Sequence, residues 1–202
     1  MDVAVIGTGF IARTLGSALA DAGHTVIYGS RHPGDDGVAE GTSATVSSLA
    51  GAVASGDVII LALPGAAVAE LAAEFGPELQ GKLVVDATNQ MGAPVANARA
   101  ALPSGVRYAR AFNTLGGEVM ASPEFDDGPA DMFFSAPVAD RAVVETLVEG
   151  VGLRPIYVGE DQEQIVDALF RLWIALAMTQ GRGRRLALRL LQGTAETDEV
   201  RR

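Results

Sequence analysis

Short apolar segments rich in β-branched residues recur along the chain, and most of them lack the polar alternation of a half-exposed strand. Seven segments predict strands, at residues 3–6, 25–28, 58–63, 83–86, 107–112, 131–136 and 154–158. Continuous apolar runs such as residues 57–63 are typical of strands covered by helices on both faces. The pattern therefore favours a sheet whose central strands are parallel and buried.

Alanine-rich stretches with helical spacing of their apolar residues lie between these strands. They predict helices at residues 10–22, 46–54, 66–75, 95–101 and 138–151. The longest helical pattern runs from residue 161 to about 180; after Gly181 and Gly183 it resumes at residues 184–192, and the tail from residue 193 lacks a pattern. This alternation predicts an α/β fold, a doubly wound, mostly parallel sheet with a small helical part at its C-terminal end.

A glycine-rich turn from Gly7 to Ala12 follows the first predicted strand and opens the first predicted helix. In such a turn Gly7 permits a tight bend, Gly9 lets the backbone approach a diphosphate, and a small residue allows the helix to pack on the strand. The amides at the start of the helix favour the same anion. The alternative is a turn that only reverses the chain, but the βαβ context favours a dinucleotide site. We assign residues 1–160 to a Rossmann-like dinucleotide-binding domain and 161–202 to a helical extension packed on it.

The end of the second strand indicates which dinucleotide is bound. An NAD site carries Asp or Glu there for the ribose 2′-hydroxyl, whereas this strand continues into Ser30, Arg31 and His32. Ser30 can donate a hydrogen bond, and Arg31 can bind a 2′-phosphate with its planar guanidinium, with Thr8 close enough to help. The alternative is that Arg31 caps the strand end in solvent, and the nearby Asp35 and Asp36 would weaken a phosphate site. The sequence predicts NADP(H) rather than NAD(H).

Two further strand ends should face the same crevice, because ligands of open α/β sheets bind beyond the carboxyl ends of the strands. Pro64, after Leu63, would pack against ribose or nicotinamide, and Asn89 could hydrogen-bond a carboxamide or a ribose hydroxyl. A proline at a helix start and an asparagine in a turn remain equally good explanations.

Composition narrows the class of function. Hydrophobic residues make up 49% of 202 positions, the net charge is −10, and cysteine is absent. The acidic balance opposes a nucleic-acid partner, and without cysteine there are no thiolate metal sites or cysteine nucleophiles. We therefore expect no metal site, no membrane contact, a cytoplasmic location, and redox chemistry that relies on a bound cofactor.

Few residues could act as a catalytic acid. Lys82 is the only lysine, no tyrosine stands four residues before it, and it precedes a strand at the end away from the expected crevice. His24 and His32 lie near the turn and the adenosine end of the first βαβ unit. We assign no catalytic residue, and a hydride acceptor that needs no protein acid would suit such a site.

Several short motifs occur in one order along the chain: residues 5–11, 29–31, 62–64, 86–89, 111–114 and 151–155. In this order they resemble the family of NADPH-dependent factor 420 (deazaflavin) oxidoreductases over residues 2 to about 180. The resemblance implies hydride transfer between NADPH and the deazaflavin coenzyme factor 420 without an obligatory side-chain acid. The family also includes relatives with other acceptors.

The same resemblance implies roles for particular positions. Thr8, Ser30 and Arg31 would hold the 2′-phosphate, and Gly7 to Ile11, which includes Gly9 and Phe10, would hold the diphosphate. Leu63 and Pro64 would lie on the nicotinamide side, and residues 115–129 would line a roomy acceptor side. A basic residue that members carry a few positions past the arginine is replaced here by residues 34–36, Gly-Asp-Asp.

Some features keep more than one explanation. The basic cluster from Gly181 to Arg185 could receive the acidic tail of a deazaflavin or could be a solvated helix break. Trp173 on the long helix fits a core or a subunit contact better than a substrate site, and we expect a homodimer through that helix. The rival functions are an NADPH-sensing module without turnover and a reductase of an imine, carbonyl or other small acceptor.

Overall fold

The computed structural model describes residues 1–34, 37–90 and 97–193. It has ten strands: β1 (Asp2–Ile6), β2 (Thr25–Ser30), β3 (Thr45–Ser48), β4 (Val58–Leu61), β5 (Leu83–Asp86), β6 (Arg107–Arg110), β7 (Glu124–Phe125), β8 (Gly128–Pro129), β9 (Asp131–Ser135) and β10 (Arg154–Gly159). Its helices are α1 (Phe10–Asp21), α2 (Leu49–Ser55), α3 (Val68–Leu79), α4 (Gly117–Met120), α5 (Arg141–Gly150) and α6 (Glu163–Ile174).

Eight strands form one sheet in the order β10-β9-β6-β5-β4-β1-β2-β3, and β7 pairs with β8 in a separate hairpin. Six neighbouring strands of this sheet are parallel: β3, β2, β1, β4, β5 and β6. The strands β9 and β10 are parallel to each other and antiparallel to β6. This topology confirms the predicted Rossmann-like, mostly parallel sheet. Because β1 lies between β2 and β4, the crossovers reverse direction there, and a crevice opens at the carboxyl ends of these strands.

Helices cover both faces of the sheet. Along β1, Val3 and Val5 belong to the core cluster that includes Leu15 of α1. Ala4 and Ile6 belong to a second cluster on the other face, with side chains of α2 and α3. The unbroken apolar runs of the central strands therefore reflect burial on both faces, as predicted.

The helix predicted at residues 46–54 is wrong at its start. Residues Thr45–Ser48 form the edge strand β3, and α2 begins only at Leu49. The Ser48 hydroxyl accepts a hydrogen bond from the Gly51 amide at 3.1 Å and so caps the helix. Such a cap ends the strand, while β-branched Thr45 and Val46 favour extension.

The predicted helix at residues 95–101 is only partly testable, because residues 95 and 96 lie outside the described residues. In the part that is described, a single 3₁₀ turn spans Arg99–Ala101. Within residues 97–101 the helical part is therefore shorter than predicted, and its turn is tighter than that of an α-helix.

The second helical pattern at the C-terminal end is also wrong. After α6 and a π-helical turn at Ala175–Thr179, residues 181–193 contain no helix, and we call them the strap. Gly181 and Gly183 have positive φ angles of 66° and 86°, which end the helix. Leu190 joins the strap to β9 and β10: its amide donates to Asp131 at 2.5 Å, and its carbonyl accepts from Arg154 at 2.7 Å. These contacts replace helical hydrogen bonds. The tail from 194 lies outside the structure described.

None of the helices in residues 1–34, 37–90 and 97–193 has the length and apolar character needed to cross a membrane.

Candidate functional site

A cavity of about 280 Å³ opens at the carboxyl ends of β1, β4 and β5. It is lined by Gly9, Phe10, Ile11, Ala62, Leu63, Pro64, Ala87, Thr88 and Asn89. Six of these residues belong to the predicted site, and the other three flank them. Three separate chain segments thus meet where the sequence places the ligand crevice.

The two glycines of the turn do different work. Gly7 has φ +127°, and a Cβ there would lie 2.3 Å from the carbonyl oxygen of Ala62, so only glycine fits against β4. A Cβ on Gly9 would meet no atom within 4 Å, so the backbone at Gly9 faces open space. The space beside Gly9, at the start of α1, fits the close approach of a diphosphate.

Arg13 in the first turns of α1 supports this turn from the side and was not predicted. Its Nε donates to the carbonyl of Thr8 at 3.0 Å, and its Nη1 donates to the carbonyl of Gly37 at 3.3 Å. Arg13 therefore ties the glycine turn to the loop that follows β2. The signal in the sequence was a basic residue one turn inside the helix that the glycines open.

The end of β2 lies beside this turn, because the Gly7 amide donates to the Gly29 carbonyl at 3.2 Å. Ser30 is buried, and its hydroxyl accepts from the His32 amide at 2.9 Å, which bends the chain after the strand. Arg31, the first residue after β2, is exposed at the carboxyl end of that strand. The structure therefore places Thr8, Ser30 and Arg31 at one edge, next to the open face of Gly9.

A buried charged cluster under the cavity escaped the sequence reasoning. The side chain of Arg110, fully buried, forms ion pairs with Asp86 at 3.2 Å and with Asp167 of α6 at 2.9 Å. Asp86 also accepts hydrogen bonds from the amides of Thr88 and Ala98 and from the Tyr108 hydroxyl. The available signal was a charged residue at the carboxyl end of each of two neighbouring strands, Asp86 in β5 and Arg110 in β6.

The strand ends above this cluster carry amide side chains. Asn89 Nδ2 donates to the carbonyl of Asn113 at 3.3 Å. Thr88 is 2% exposed, and its hydroxyl has no hydrogen-bond partner among residues of the described ranges. A buried hydroxyl without a partner is costly and marks a place where a ligand or water can bind.

The chain after β6 is strained beside these residues. Phe112 has φ 62°, an unusual value for a large side chain, and its amide donates to the Met132 sulfur at 3.2 Å. Backbone strain of about 1–3 kcal/mol of this kind is often found at binding sites. The turn places Asn113 next to Asn89.

Tyr108, Lys82 and His24, which could act as acids, do not line the cavity. Burial, and secondarily the charge of Asp86, raise the pKa of Tyr108, whose hydroxyl donates to Asp86 at 2.7 Å. Lys82 binds the carbonyl of Gly56 at 2.6 Å, far from the crevice, and burial lowers the pKa of His24. Within the described part of the chain, no group of three metal-ligating side chains occurs.

The segment at residues 115–129 was predicted to be roomy, and the structure shows it to be packed. Leu115, Val119 and Met120 are core residues, and a Cβ on Gly117 would lie 2.6 Å from the ring of Phe10. The short helix α4 and the β7–β8 hairpin, neither predicted, fill this segment. The packing concerns residues 115–120, whereas residues 121–129 are exposed or half-buried.

Protein groups already hold two of the three arginines of the basic cluster, Arg184 and Arg185. Arg184 pairs with Glu118 at 2.5 Å, and hydrogen bonding from Arg184 lowers the pKa of Glu118. Arg185 donates to the carbonyls of Ser122 and Glu124, both at 3.0 Å. Trp173, 3% exposed, donates to the Leu186 carbonyl at 2.8 Å, so it belongs to the core beneath the strap.

Comparison with known proteins gives a family match and several fold matches. The family model "NADP oxidoreductase coenzyme F420-dependent" matches residues 2–90. A candidate F420-dependent NADP reductase from Arthrobacter sp. FB24 aligns with 94% of this chain and 99% of its own, at 24% identity and a TM-score of 0.77. A hypothetical protein from Sinorhizobium meliloti aligns with 96% of both chains, at 25% identity and a TM-score of 0.71. An imine reductase from Streptomyces aurantiacus aligns with 91% of this chain and 69% of its own, at 20% identity and a TM-score of 0.64.

The match confirms the predicted resemblance over residues 2–90, and the motifs at 111–114 and 151–155 lie outside the matched residues. The solved structures confirm the Rossmann-like fold over nearly the whole chain. The family match also supports the predicted class, an NADPH-dependent oxidoreductase.

Proposed function

We propose, from the match of residues 2–90 to the F420-dependent NADP oxidoreductase family, that this chain transfers hydride between NADPH and the deazaflavin coenzyme factor 420. The observation that carries the proposal is the open face of Gly9 at the start of α1, beside Ser30 and Arg31 and on the same cavity as Pro64 and Asn89. A dinucleotide laid along this edge would have its diphosphate at Gly9.

The 2′-phosphate end supports NADPH over NADH. β2 ends without a carboxylate, and the exposed Arg31 follows a strand end whose Gly29 carbonyl accepts from the Gly7 amide of the glycine turn. A guanidinium can form paired, charge-assisted hydrogen bonds with a phosphate, and such bonds contribute about 1.5–3 kcal/mol each. An unphosphorylated ribose would leave this group unused.

The nicotinamide end would rest on the opposite side of the cavity. Leu63 and Pro64 offer an apolar surface, and the remaining N–H of Asn89 can bind a ribose hydroxyl or a carboxamide. When bound, NADPH supplies the hydride. The residues of this chain would bind and orient the dinucleotide, and the apolar side chains of Leu63 and Pro64 would exclude water from its nicotinamide end.

A deazaflavin acceptor fits the chemistry of the lining. The nine residues that line the cavity include no Asp, Glu, His, Lys, Arg or Tyr. A conjugated ring system takes up the charge of the incoming hydride by itself and can take its proton from water. Reduction of a carbonyl or imine would require a proton donor, and Tyr108 is bound to Asp86 below the cavity.

The test is to mix the purified chain with NADPH and oxidised factor 420 and to follow the visible absorbance of the deazaflavin. We expect bleaching that depends on enzyme and is much slower with NADH. Arg184→Ala/Arg185→Ala serves as a test of the acidic-tail hypothesis, since an unchanged KM for factor 420 would exclude these two arginines. If NADPH binds but the deazaflavin is not bleached, an NADPH-sensing module is favoured. Turnover of a cyclic imine would favour a reductase of imines, carbonyls or other small acceptors.

A further inference from the structure

Arg110 is a charged residue with no exposed side-chain surface, in the middle of the sheet. Burying a guanidinium is unfavourable unless its charge and all its donors are satisfied, and even paired buried ions add little stability compared with apolar residues. Asp86 and Asp167 satisfy the charge. The remaining donors indicate what else the side chain does.

Those donors reach the floor of the cavity. Nη1 donates to the carbonyl of Thr88 at 2.6 Å and to that of Asp86 at 3.1 Å. Asp86 is the last residue of β5, and Thr88, two residues beyond it, lines the cavity. The guanidinium therefore fixes the backbone from which Thr88 and Asn89 project.

The same guanidinium fixes the side chain of Asn89. Nη2 of Arg110 donates to Asn89 Oδ1 at 3.5 Å, a long hydrogen bond, while Asn89 Nδ2 donates to the Asn113 carbonyl at 3.3 Å. With the Asn113 amide oriented so that its oxygen faces Arg110, that oxygen accepts from Nη2 at 3.0 Å and from Nε at 3.2 Å. These bonds allow Asn89 only one amide orientation, with its second N–H left for a ligand.

Helix α6 holds Arg110 from behind. Asp167 Oδ1 accepts from Nε at 2.9 Å, and Asp167 Oδ2 accepts from Asn97 Nδ2 at 2.9 Å. The plane of the guanidinium is thus set by a residue of the C-terminal helix, although its donors act on the strand ends. A lysine at position 110 would retain the charge but lose the fork that reaches Thr88, Asn89 and Asn113 together.

We propose that Arg110 is a positioning residue that holds Thr88 and Asn89 in the geometry that binds the nicotinamide half of the dinucleotide. The inference rests on the proposed function, because it takes NADPH as the ligand of the cavity. Arg110 lies beneath the cavity and acts through Asn89, and Asp167 makes this arrangement depend on α6. Binding at the adenosine end, where Ser30 and Arg31 lie, is independent of it.

The experiment compares two ligands on the full chain by calorimetric titration: NADPH, and adenosine 2′,5′-bisphosphate, which lacks the nicotinamide half. For Arg110→Lys we expect NADPH affinity to fall about tenfold, the effect of losing about one hydrogen bond, with fragment affinity unchanged within about twofold. Tyr108→Phe is the matched control: it removes one bond to Asp86 in the same cluster and leaves every bond of Arg110 in place. We expect it to change neither affinity by more than about twofold.

A double-mutant cycle with Asn89→Ala tests whether Arg110 acts through that residue. If it does, the double variant loses less NADPH affinity than the two single variants added together, because one of the two positioned side chains is already absent. Equal weakening of both ligands by Arg110→Lys, unchanged NADPH affinity in a folded Arg110→Lys, or fully additive effects in the cycle would overturn the proposal. Failure of the unaltered chain to bind NADPH would instead overturn the proposed function.

Discussion

Gly9→Ala separates ligand binding from folding at one position. Gly9 has φ −75° and ψ −177°, an extended conformation open to any L-residue, and the added Cβ meets no atom within 4 Å. Replacing a compatible glycine stabilises by about 0.4–1 kcal/mol. Alanine is a poorer N-cap by about 0.5–1 kcal/mol. These contributions nearly cancel, so we expect Tm to move by less than about 4 °C.

Binding should respond very differently. The methyl group would occupy the space in which a diphosphate approaches the start of α1. Loss of two charge-assisted hydrogen bonds from backbone amides would cost about 3 kcal/mol, roughly a hundredfold in Kd. Calorimetric titration with NADPH, together with a thermal melt of the same sample, measures both quantities.

Two other glycines complete the design. Gly105→Ala is the matched control, since its Cβ would meet only Gln80, at 3.5 Å or more, just before β6 at the opposite edge of the sheet. We expect it to bind NADPH normally. Gly7→Ala should lower Tm, because its Cβ would lie 2.3 Å from the Ala62 carbonyl. Unchanged NADPH affinity in Gly9→Ala would refute the placement of the diphosphate.

Four further predictions concern other parts of the chain. Arg31→Ala should weaken NADPH binding at least tenfold and leave NADH binding unchanged in titrations, and an equal loss for both would exclude a 2′-phosphate contact. Thr88→Val should raise the free energy of unfolding by about 1 kcal/mol, because an unpaired buried hydroxyl is removed, and should weaken NADPH binding severalfold; a loss of stability in denaturant titration would contradict this. Burial raises the pKa of Tyr108 in the folded state, so the unfolded chain loses this proton first and stability should fall above about pH 10. Melts of Tyr108→Phe should show a shallower alkaline fall, and an identical slope would refute the assignment. A homodimer through α6 and the π-helical turn after it, which expose Leu172 and Met178, should give twice the 20.8 kDa mass in light scattering, and a monomer mass would refute it.

Most of the sheet could be predicted because each central strand is buried on both faces. Residues 83–86 were placed correctly to the residue, since the apolar run from Leu83 to Val85 has a glycine and a lysine before it and Asp86 after it. β3 was missed because it is an edge strand of four residues, none of them buried, directly followed by a capped helix. The β-branched Thr45 and Val46 and the capping Ser48 were local signals, but a strand of four residues is too short to show a clear alternation of its own.

The strap was mistaken for a helix for a tertiary reason. Its apolar residues have helical spacing, but its backbone and arginines bind Asp131, Glu118 and the hairpin instead. The glycine turn and Pro64 could be placed from strand order alone. The Arg110 cluster could not, because it joins β5, β6 and α6 across more than fifty positions of sequence.

The most direct test of the central claim uses NADPH that carries deuterium at the transferable position of its nicotinamide. Incubated with the chain and oxidised factor 420, it should give reduced deazaflavin that contains the deuterium, with one NADPH consumed per deazaflavin reduced. Reduced deazaflavin without deuterium, or tightly bound NADPH that is never consumed, would contradict direct hydride transfer in this site.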